Sequence, residues 1–204
     1  MYWMIRFIVL NMVTNLILWY LKTYKEAISC NEAGSWKKAM DEEVESLIGN
    51  NTYTLTNLPA GRNVIAGRWV YALKVGIDGQ NIFKARYVAK GFTQEHGVDY
   101  FETFAPTAKI TTIRIFVQIA AQFELLIHQM DVKTAYLNAP IDCELYMDQP
   151  RGYEQNGGDG KVVCRLNKSI YGLKQSGRNW NVMLKQYLLD NNFIQSLMTH
   201  VCMC

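Results

Sequence analysis

Residues 52–90 constrain the fold more than any other part of this chain, because short apolar runs alternate there with turn residues. The runs "TYTLTNL", "VIAGRWVYALKV" and "IFKARYVAK" are separated by "PAGRN" and "GIDGQ". Runs of this length, rich in β-branched and aromatic residues and bounded by glycine-containing turns, predict strands joined by short connections. We therefore expect an antiparallel meander between residues 52 and 90.

Three segments predict helices. The first begins after Ser35, which can cap a helix, and ends at Gly49. Its apolar residues recur at helical spacing and are Trp36, Met40, Val44 and Leu47. The segments "TTIRIFVQIAAQF" and "GLKQSGRNWNVMLKQYLLDNN" predict two later helices.

The rest of the chain adds strands. The run "ELLIHQMDV" predicts a buried strand ending near Asp131, and "KTAYLN" predicts a helical turn after it. Two more strands are expected at "CELYMDQP" and "VVCRL". This order of elements predicts an α+β protein in which helices pack on a mostly antiparallel sheet.

Composition sets broad limits. A chain of 204 residues with 50% hydrophobic content can build one sizeable core. The net charge of +3 is too small to indicate a nucleic-acid partner by itself. The five cysteines are odd in number and irregularly spaced, which indicates reduced thiols and an intracellular protein.

The N-terminal segment differs in composition from the remainder. Residues 1–22 are almost wholly apolar, but the run from Phe7 to Leu21 is shorter than the ~20 residues that a membrane-spanning helix needs. It also contains Asn11 and Asn15, which are costly in hydrocarbon. We place residues 1–24 outside the fold formed by residues 25–204, and membrane association through residues 1–22 is the alternative.

The strand "FKARYVAK" gathers cations on one face. A two-residue period puts Lys84, Arg86 and Lys90 on the same side, opposite Ala85 and Tyr87. The strand could bind phosphate, or it could be a solvated edge strand whose lysines prevent pairing with other chains. Taken alone, the pattern favours the edge strand.

Asp131 also has two interpretations. An aspartate at the end of a buried strand can bind a metal ion or cap the following turn. For a lone motif the cap is favoured, so a metal site needs support from other parts of the chain.

Six fragments occur in a characteristic order along the chain. They are "WKKAMDEEVESL", "NNTYTL", "KARYVAKGFTQEHGVDYFETFAP", "QMDVKTAYLNAP", "ELYMDQPRGY" and "LNKSIYGLKQSGRNW". Together they resemble the reverse transcriptase segment of copia-type long-terminal-repeat retrotransposon polyproteins. The resemblance extends from about residue 25 to residue 200 and does not include residues 1–22.

The resemblance implies the fingers and part of the palm of a right-hand polymerase, with the meander as the fingers. It implies that Asp131 is catalytic and binds Mg²⁺. It also implies a set of nucleotide-binding residues, which are Lys84, Arg86, Lys90, Val132, Tyr136, Gly172 and Gln175. Tyr136 matches the aromatic residue that excludes a 2′-hydroxyl. The implied partners are deoxynucleotides and an RNA or DNA primer-template, in the cytoplasm or the nucleus.

The chain departs from the family pattern in two ways. The family has a proline where this chain has Gly177, and it has a Tyr-Val-Asp-Asp hairpin that this sequence lacks. The resemblance therefore implies a fragment of an RNA-directed DNA polymerase that is inactive as given. The alternatives are a noncatalytic nucleic-acid-binding remnant, in which the basic strand and the group Lys168, Lys174 and Arg178 would contact phosphates, and a product of a decayed element without function.

Overall fold

The computed structural model describes residues 17–18, 21–76, 79–156 and 160–195. Its helices and strands follow in chain order: β1 (Ile17–Leu18), α1 (Tyr24–Ser29), α2 (Ala33–Gly49), β2 (Tyr53–Asn57), β3 (Val64–Ile65), β4 (Gly67–Val75), β5 (Asn81–Ala89), α3 (Ile110–Gln122), β6 (Tyr146–Met147), β7 (Val162–Leu166) and α4 (Ser176–Asp190). Short 3₁₀ helices occupy Gly91–Thr93 and Ala135–Asn138. The α+β class expected from the sequence is confirmed.

The hairpin of β4 and β5 is the most regular element of the fold. The two strands pair antiparallel over their full length, from Gly67 opposite Ala89 to Val75 opposite Asn81. Trp69 and Tyr71 of β4 and Tyr87 of β5 are buried on one face. Because residues alternate between faces, the other face of the hairpin points to solvent.

The predicted meander is wrong at its first strand. β2 does not pair with β3 or β4 but with β7, in an antiparallel register from Tyr53 opposite Leu166 to Asn57 opposite Val162. A second sheet results, in the order β2-β7-β6-β3, and its β3–β6 pair is parallel. Local turn signals could not reveal this pairing, because the partner strand lies far along the chain.

Helix α2 covers the apolar face of the hairpin. Trp36 packs edge-on against Tyr71, with ring centroids 5.4 Å apart, and against Phe83 at 4.8 Å. Met40 and Leu47 are fully buried on the same side of the helix. The expected N-cap is wrong, since the helix starts at Ala33 and Ser35 lies inside its first turn.

The segment before Asp131 differs from its prediction as a buried strand. Residues 124–132 belong to none of the strands of the described chain, and Leu126, Ile127 and Met130 are exposed. A strand needs a neighbour to accept and donate its ladder hydrogen bonds. Within the described ranges this segment contains a single bridge residue, His128, and no strand of either sheet pairs with it.

Helices α3 and α4 form where periodicity predicted them, but their apolar residues are poorly covered. On α3, Ile115 and Val117 are more than half exposed, and Ala120 is its one buried residue within the described chain. On α4, Tyr187 is 62% exposed, while the polar Asn179 is buried. Periodicity therefore identified the helices but not which of their faces are buried.

The boundary that we expected at residue 24 falls at the start of α1 and stays a prediction. Most of the N-terminal segment before it, namely residues 1–16 and 19–20, lies outside the described residues. Within it, Ile17–Leu18 pair antiparallel with β4 opposite Lys74 and Leu73. In the part of the chain that the structure describes, no helix is both long enough and apolar enough to span a bilayer.

Candidate functional site

The solvent face of the β4–β5 hairpin carries four cations. Register places Val70 opposite Arg86 and Ala72 opposite Lys84, so that side chains of both strands share this face. Its basic residues are Arg68, Lys74, Lys84 and Arg86. We call this group the basic face. Sequence reasoning found the two cations of β5 and missed Arg68 and Lys74, although the same alternation applied to "GRWVYALKV" would have identified them.

Lys90 lies just beyond β5. Its backbone N–H donates to the Ala66 carbonyl at 2.8 Å, and its own carbonyl accepts a hydrogen bond from the Thr93 hydroxyl at 2.9 Å. The backbone is thereby fixed where the chain leaves the sheet and enters the 3₁₀ turn Gly91–Thr93. Lys90 is half-buried at the end of the hairpin.

Asp131 lies within electrostatic reach of this surface. Desolvation lowers the pKa of Lys84, the neighbouring Lys74 and Arg86 lower it further, and the Asp131 carboxylate acts in the opposite direction. Asp131 is therefore a neighbour of Lys84, one member of the basic face. Asp131 is itself exposed, and the neighbouring Val132 is 37% exposed.

Arg86 connects the hairpin to an aromatic pair. Its guanidinium lies 5.8 Å from the centre of the Tyr171 ring, and the Tyr171 ring lies 4.9 Å from that of Tyr136. Tyr136 belongs to the 3₁₀ turn Ala135–Asn138, which follows Asp131 closely in sequence. Arg86, Tyr171 and Tyr136 are therefore neighbours in the structure.

Gly172 makes a close contact within the protein. Its φ of +95° lies in the left-handed region, and a Cβ added there would sit 2.1 Å from the Ala89 carbonyl oxygen. The Ala89 N–H donates to the Tyr171 carbonyl at 2.8 Å. In this structure the absent side chain therefore lets the Tyr171–Gly172 turn pack against the end of β5.

Gln175 is fully buried and fully used. Its side-chain NH₂ donates to the Asp99 carbonyl at 2.8 Å and contacts the Cys143 Sγ at 3.4 Å, and its Oε1 accepts from Gln94 at 3.0 Å. These bonds tie the loop after β5 to the start of α4. The predicted role of Gln175 in lining a nucleotide pocket stays a prediction.

Two cations of the group Lys168, Lys174 and Arg178 already have partners. Lys174 donates to the Tyr100 hydroxyl at 3.0 Å, and Arg178 pairs with Glu102 at 2.8 Å. By contrast, no ion pair within the described ranges involves Arg68, Lys74 or Lys84. The basic face is therefore the better candidate for binding an anion.

The donor set around Asp131 does not fit a complete metal site. Among the described residues, no group of three or more His, Cys, Asp or Glu side chains could hold an ion. Protein-bound Mg²⁺ uses one or two carboxylates together with water and substrate phosphates. Asp131 can supply one carboxylate of such a set, and further ligands have to come from elsewhere.

Comparison with known protein families adds an independent line of argument. The family model described as "Reverse transcriptase (RNA-dependent DNA polymerase)" matches residues 50–204. No solved structure matches the chain.

Curated relatives agree with the family match. The chain is 41% identical over 176 residues to "Retrovirus-related Pol polyprotein from transposon TNT 1-94" of Nicotiana tabacum, which covers 86% of this chain and 13% of the relative. It is 42% identical over 175 residues to the Pol polyprotein from transposon RE2 of Arabidopsis thaliana, covering 85% of this chain and 12% of the relative. An uncharacterized mitochondrial protein of Arabidopsis thaliana is 37% identical over 105 residues, or 51% of this chain and 62% of that protein. The chain thus spans about an eighth of the length of the two polyproteins.

Proposed function

The chain belongs to the reverse transcriptase family, and from that premise we propose that the basic face binds the phosphates of a nucleotide or of an RNA or DNA primer-template. The observation that carries this proposal is the gathering of four cations on the solvent face of one hairpin, with Asp131 near one of them, Lys84. Clustered cations bind nucleic acid by releasing the counterions that surround phosphates.

Protection of a sheet edge does not account for the whole cluster. β5 is an edge strand, so lysine on it could serve only to prevent pairing with other chains. Lys74, however, lies on β4 where that strand pairs with β1 on one side and β5 on the other. A cation at that position has no edge to protect, and this favours the phosphate-binding interpretation.

The neighbouring residues fit a nucleotide at this surface. Tyr136 packs against Tyr171 beside Arg86, where its ring could contact the sugar of a nucleotide whose phosphates lie on the cations. We propose that the Asp131 carboxylate, next to Val132, binds a metal ion. Lys90 contacts a phosphate at the end of the hairpin. Gly172 and Gln175 support this surface by fixing the turn and the loop that border it.

The 204-residue polypeptide contains no pair of adjacent aspartates. One carboxylate cannot by itself hold two divalent ions against the oxygens of a transferring phosphoryl group. We therefore expect this polypeptide to bind primer-template without catalysing nucleotide incorporation. Purified protein that extends a primed RNA template with Mg²⁺, and loses this activity in Asp131→Ala, would refute the expectation.

Binding is tested by fluorescence anisotropy with a labelled RNA–DNA primer-template over a range of salt concentrations. Lys84→Glu should weaken binding and reduce the slope of log affinity against log salt by about 0.9 for the lost phosphate contact. Lys38→Glu is the matched control, because Lys38 is exposed on α2, which covers the opposite face of the hairpin. Equal losses in Lys84→Glu and Lys38→Glu would show that net charge, not the basic face, controls binding.

A further inference from the structure

Glu43 occupies a position of α2 where an apolar residue is expected. It lies seven residues after Trp36 and four before Leu47, so all three share the face that packs on the hairpin. Its side chain is only 1% exposed. A charged group is rarely buried in this way unless it is paired and hydrogen-bonded. The contacts of Glu43 therefore indicate its role.

Two contacts satisfy the Glu43 carboxylate. Oε2 accepts from Nη1 of Arg86 at 2.8 Å, and Oε1 accepts from the backbone N–H of Tyr87 at 3.3 Å. The second bond fixes the carboxylate against β5, because it is made to the backbone of the strand and not to a mobile side chain. Glu43 thus has a fixed place from which to hold Arg86.

Arg86 keeps donors available for another group. Its side chain is 38% exposed although it is ion-paired, and its Nη1 also contacts the Ala85 carbonyl at 3.2 Å. A guanidinium is a planar group with five N–H donors, so one edge can bind a carboxylate while another edge binds a phosphate. The Tyr171 ring, 5.8 Å from the guanidinium, adds a further contact that limits its orientation.

We propose that Glu43 is a positioning residue, which holds the Arg86 guanidinium in the orientation that receives a phosphate group at the basic face. This inference rests on the proposed function of that face. Arginine loses considerable side-chain entropy when it is fixed, and a guanidinium that is already held loses less of it when phosphate binds.

The inference and simple electrostatics predict opposite changes in phosphate affinity when the Glu43 charge is removed. If Glu43 only neutralised Arg86, removing the carboxylate would strengthen phosphate binding. If Glu43 positions Arg86, Glu43→Gln weakens binding even though the protein becomes more positive. Glu42→Gln is the matched control, because Glu42 is the preceding residue on α2, is exposed and undergoes the same change of charge.

The experiment is a calorimetric titration of the 204-residue chain with inorganic tripolyphosphate. We expect Glu43→Gln to bind about tenfold more weakly, the difference that a charge-assisted hydrogen bond typically makes, and Glu42→Gln to bind as tightly as the wild type or more tightly. Arg86→Lys should lose a similar factor, and the double variant should lose little more than either single variant, because the two residues act as one unit. Urea unfolding of each variant shows whether a loss of affinity occurs without a loss of stability.

The results separate the inference from the function on which it rests. Glu43→Gln that binds as tightly as the wild type, while Arg86→Lys binds weakly, overturns the positioning role and leaves the basic face intact. A wild type that binds no tripolyphosphate overturns the proposed function, and this inference with it.

A measurement on the wild type covers the case in which Glu43→Gln does not fold. In ¹⁵N-arginine-labelled protein, a guanidinium that is held gives separate Nη resonances for Arg86 before any ligand is added. A single averaged resonance, as for a freely rotating group, would overturn the inference.

Discussion

Gly172→Ala should destabilise the protein more than the same substitution at a left-handed glycine with open space around it, because the space at Gly172 is already filled. The backbone φ is +95°, which costs an alanine about 1–2 kcal/mol. The new Cβ would also sit 2.1 Å from the Ala89 carbonyl oxygen and 2.9 Å from the Ala89 nitrogen. These neighbours are backbone atoms of β5, so they cannot swing away as the end of a flexible side chain could.

The size of the effect follows from what has to move. Separating the turn from β5 breaks the 2.8 Å bond between the Ala89 N–H and the Tyr171 carbonyl, which contributes about 1 kcal/mol. Overpacking of a fitted contact adds about 1–3 kcal/mol. Reduced freedom of the unfolded chain returns about 0.4–1 kcal/mol. Together with the strain of the left-handed backbone, these contributions give an expected net loss of about 2–6 kcal/mol in the free energy of unfolding.

Two other glycines separate these contributions. Gly97 has a φ of +84° with nothing within 4 Å of an added Cβ, so Gly97→Ala isolates the backbone strain and should cost about 1 kcal/mol. Gly34 lies in α2, also in open space, and Gly34→Ala should stabilise the protein by about 0.5–1 kcal/mol. Urea unfolding followed by circular dichroism measures all three. If Gly172→Ala costs no more than Gly97→Ala, the contact with β5 does not constrain the turn and the reasoning is wrong.

Three further outcomes are expected. Burial holds the pKa of Glu43 above its ordinary 4.5, so the wild type should lose stability as pH rises from 4.5 through the raised pKa. Urea unfolding at several pH values should show that Glu43→Gln abolishes this loss, and an unchanged pH profile in the variant would contradict the assignment. Gly177→Ala should raise the free energy of unfolding by about 0.5–1 kcal/mol, because the added Cβ makes only an ordinary 3.5 Å contact with Ala105 in the first turn of α4; a lower unfolding midpoint would refute this. Ile115 and Val117 on α3 are both more than half exposed, so replacing them by Lys and Glu should reduce self-association measured by light scattering. The free energy of unfolding should change by no more than about 0.5 kcal/mol. A large loss of stability would show that the two side chains pack against other residues.

Local patterns in the sequence predicted the elements whose partners are close along the chain. The β4–β5 hairpin follows from alternation around one turn, and α2 follows from the spacing of Trp36, Met40 and Leu47. The grouping of Lys84 and Arg86 on one face follows from the same alternation. In each case the information needed lies within a few residues of the element itself.

Features that depend on distant parts of the chain were not predictable. Helical spacing correctly put Val44 on the face of α2 that packs against the core. It did not predict that Glu43 is buried on this helix as well, because that burial depends on Arg86 of β5. Gln175 is buried because Gln94 and Asp99 satisfy its amide. The apolar "ELLIHQMDV" has the composition of a buried strand, but composition does not supply a neighbouring strand. The proposed roles of Asp131 and Tyr136 came from the family resemblance and not from periodicity.

The pairing of β2 with β7 affects the order in which the protein forms during synthesis. β4 and β5 are consecutive, so their hairpin can close once residue 89 has left the ribosome. β2 precedes them but has to wait until residues 162–166 emerge before its partner strand exists. Contacts that join distant segments form slowly, and a strand left unpaired in the meantime can add to the strands of other nascent chains. β2 is therefore open to such pairing over the interval in which the ribosome adds residues 58–166.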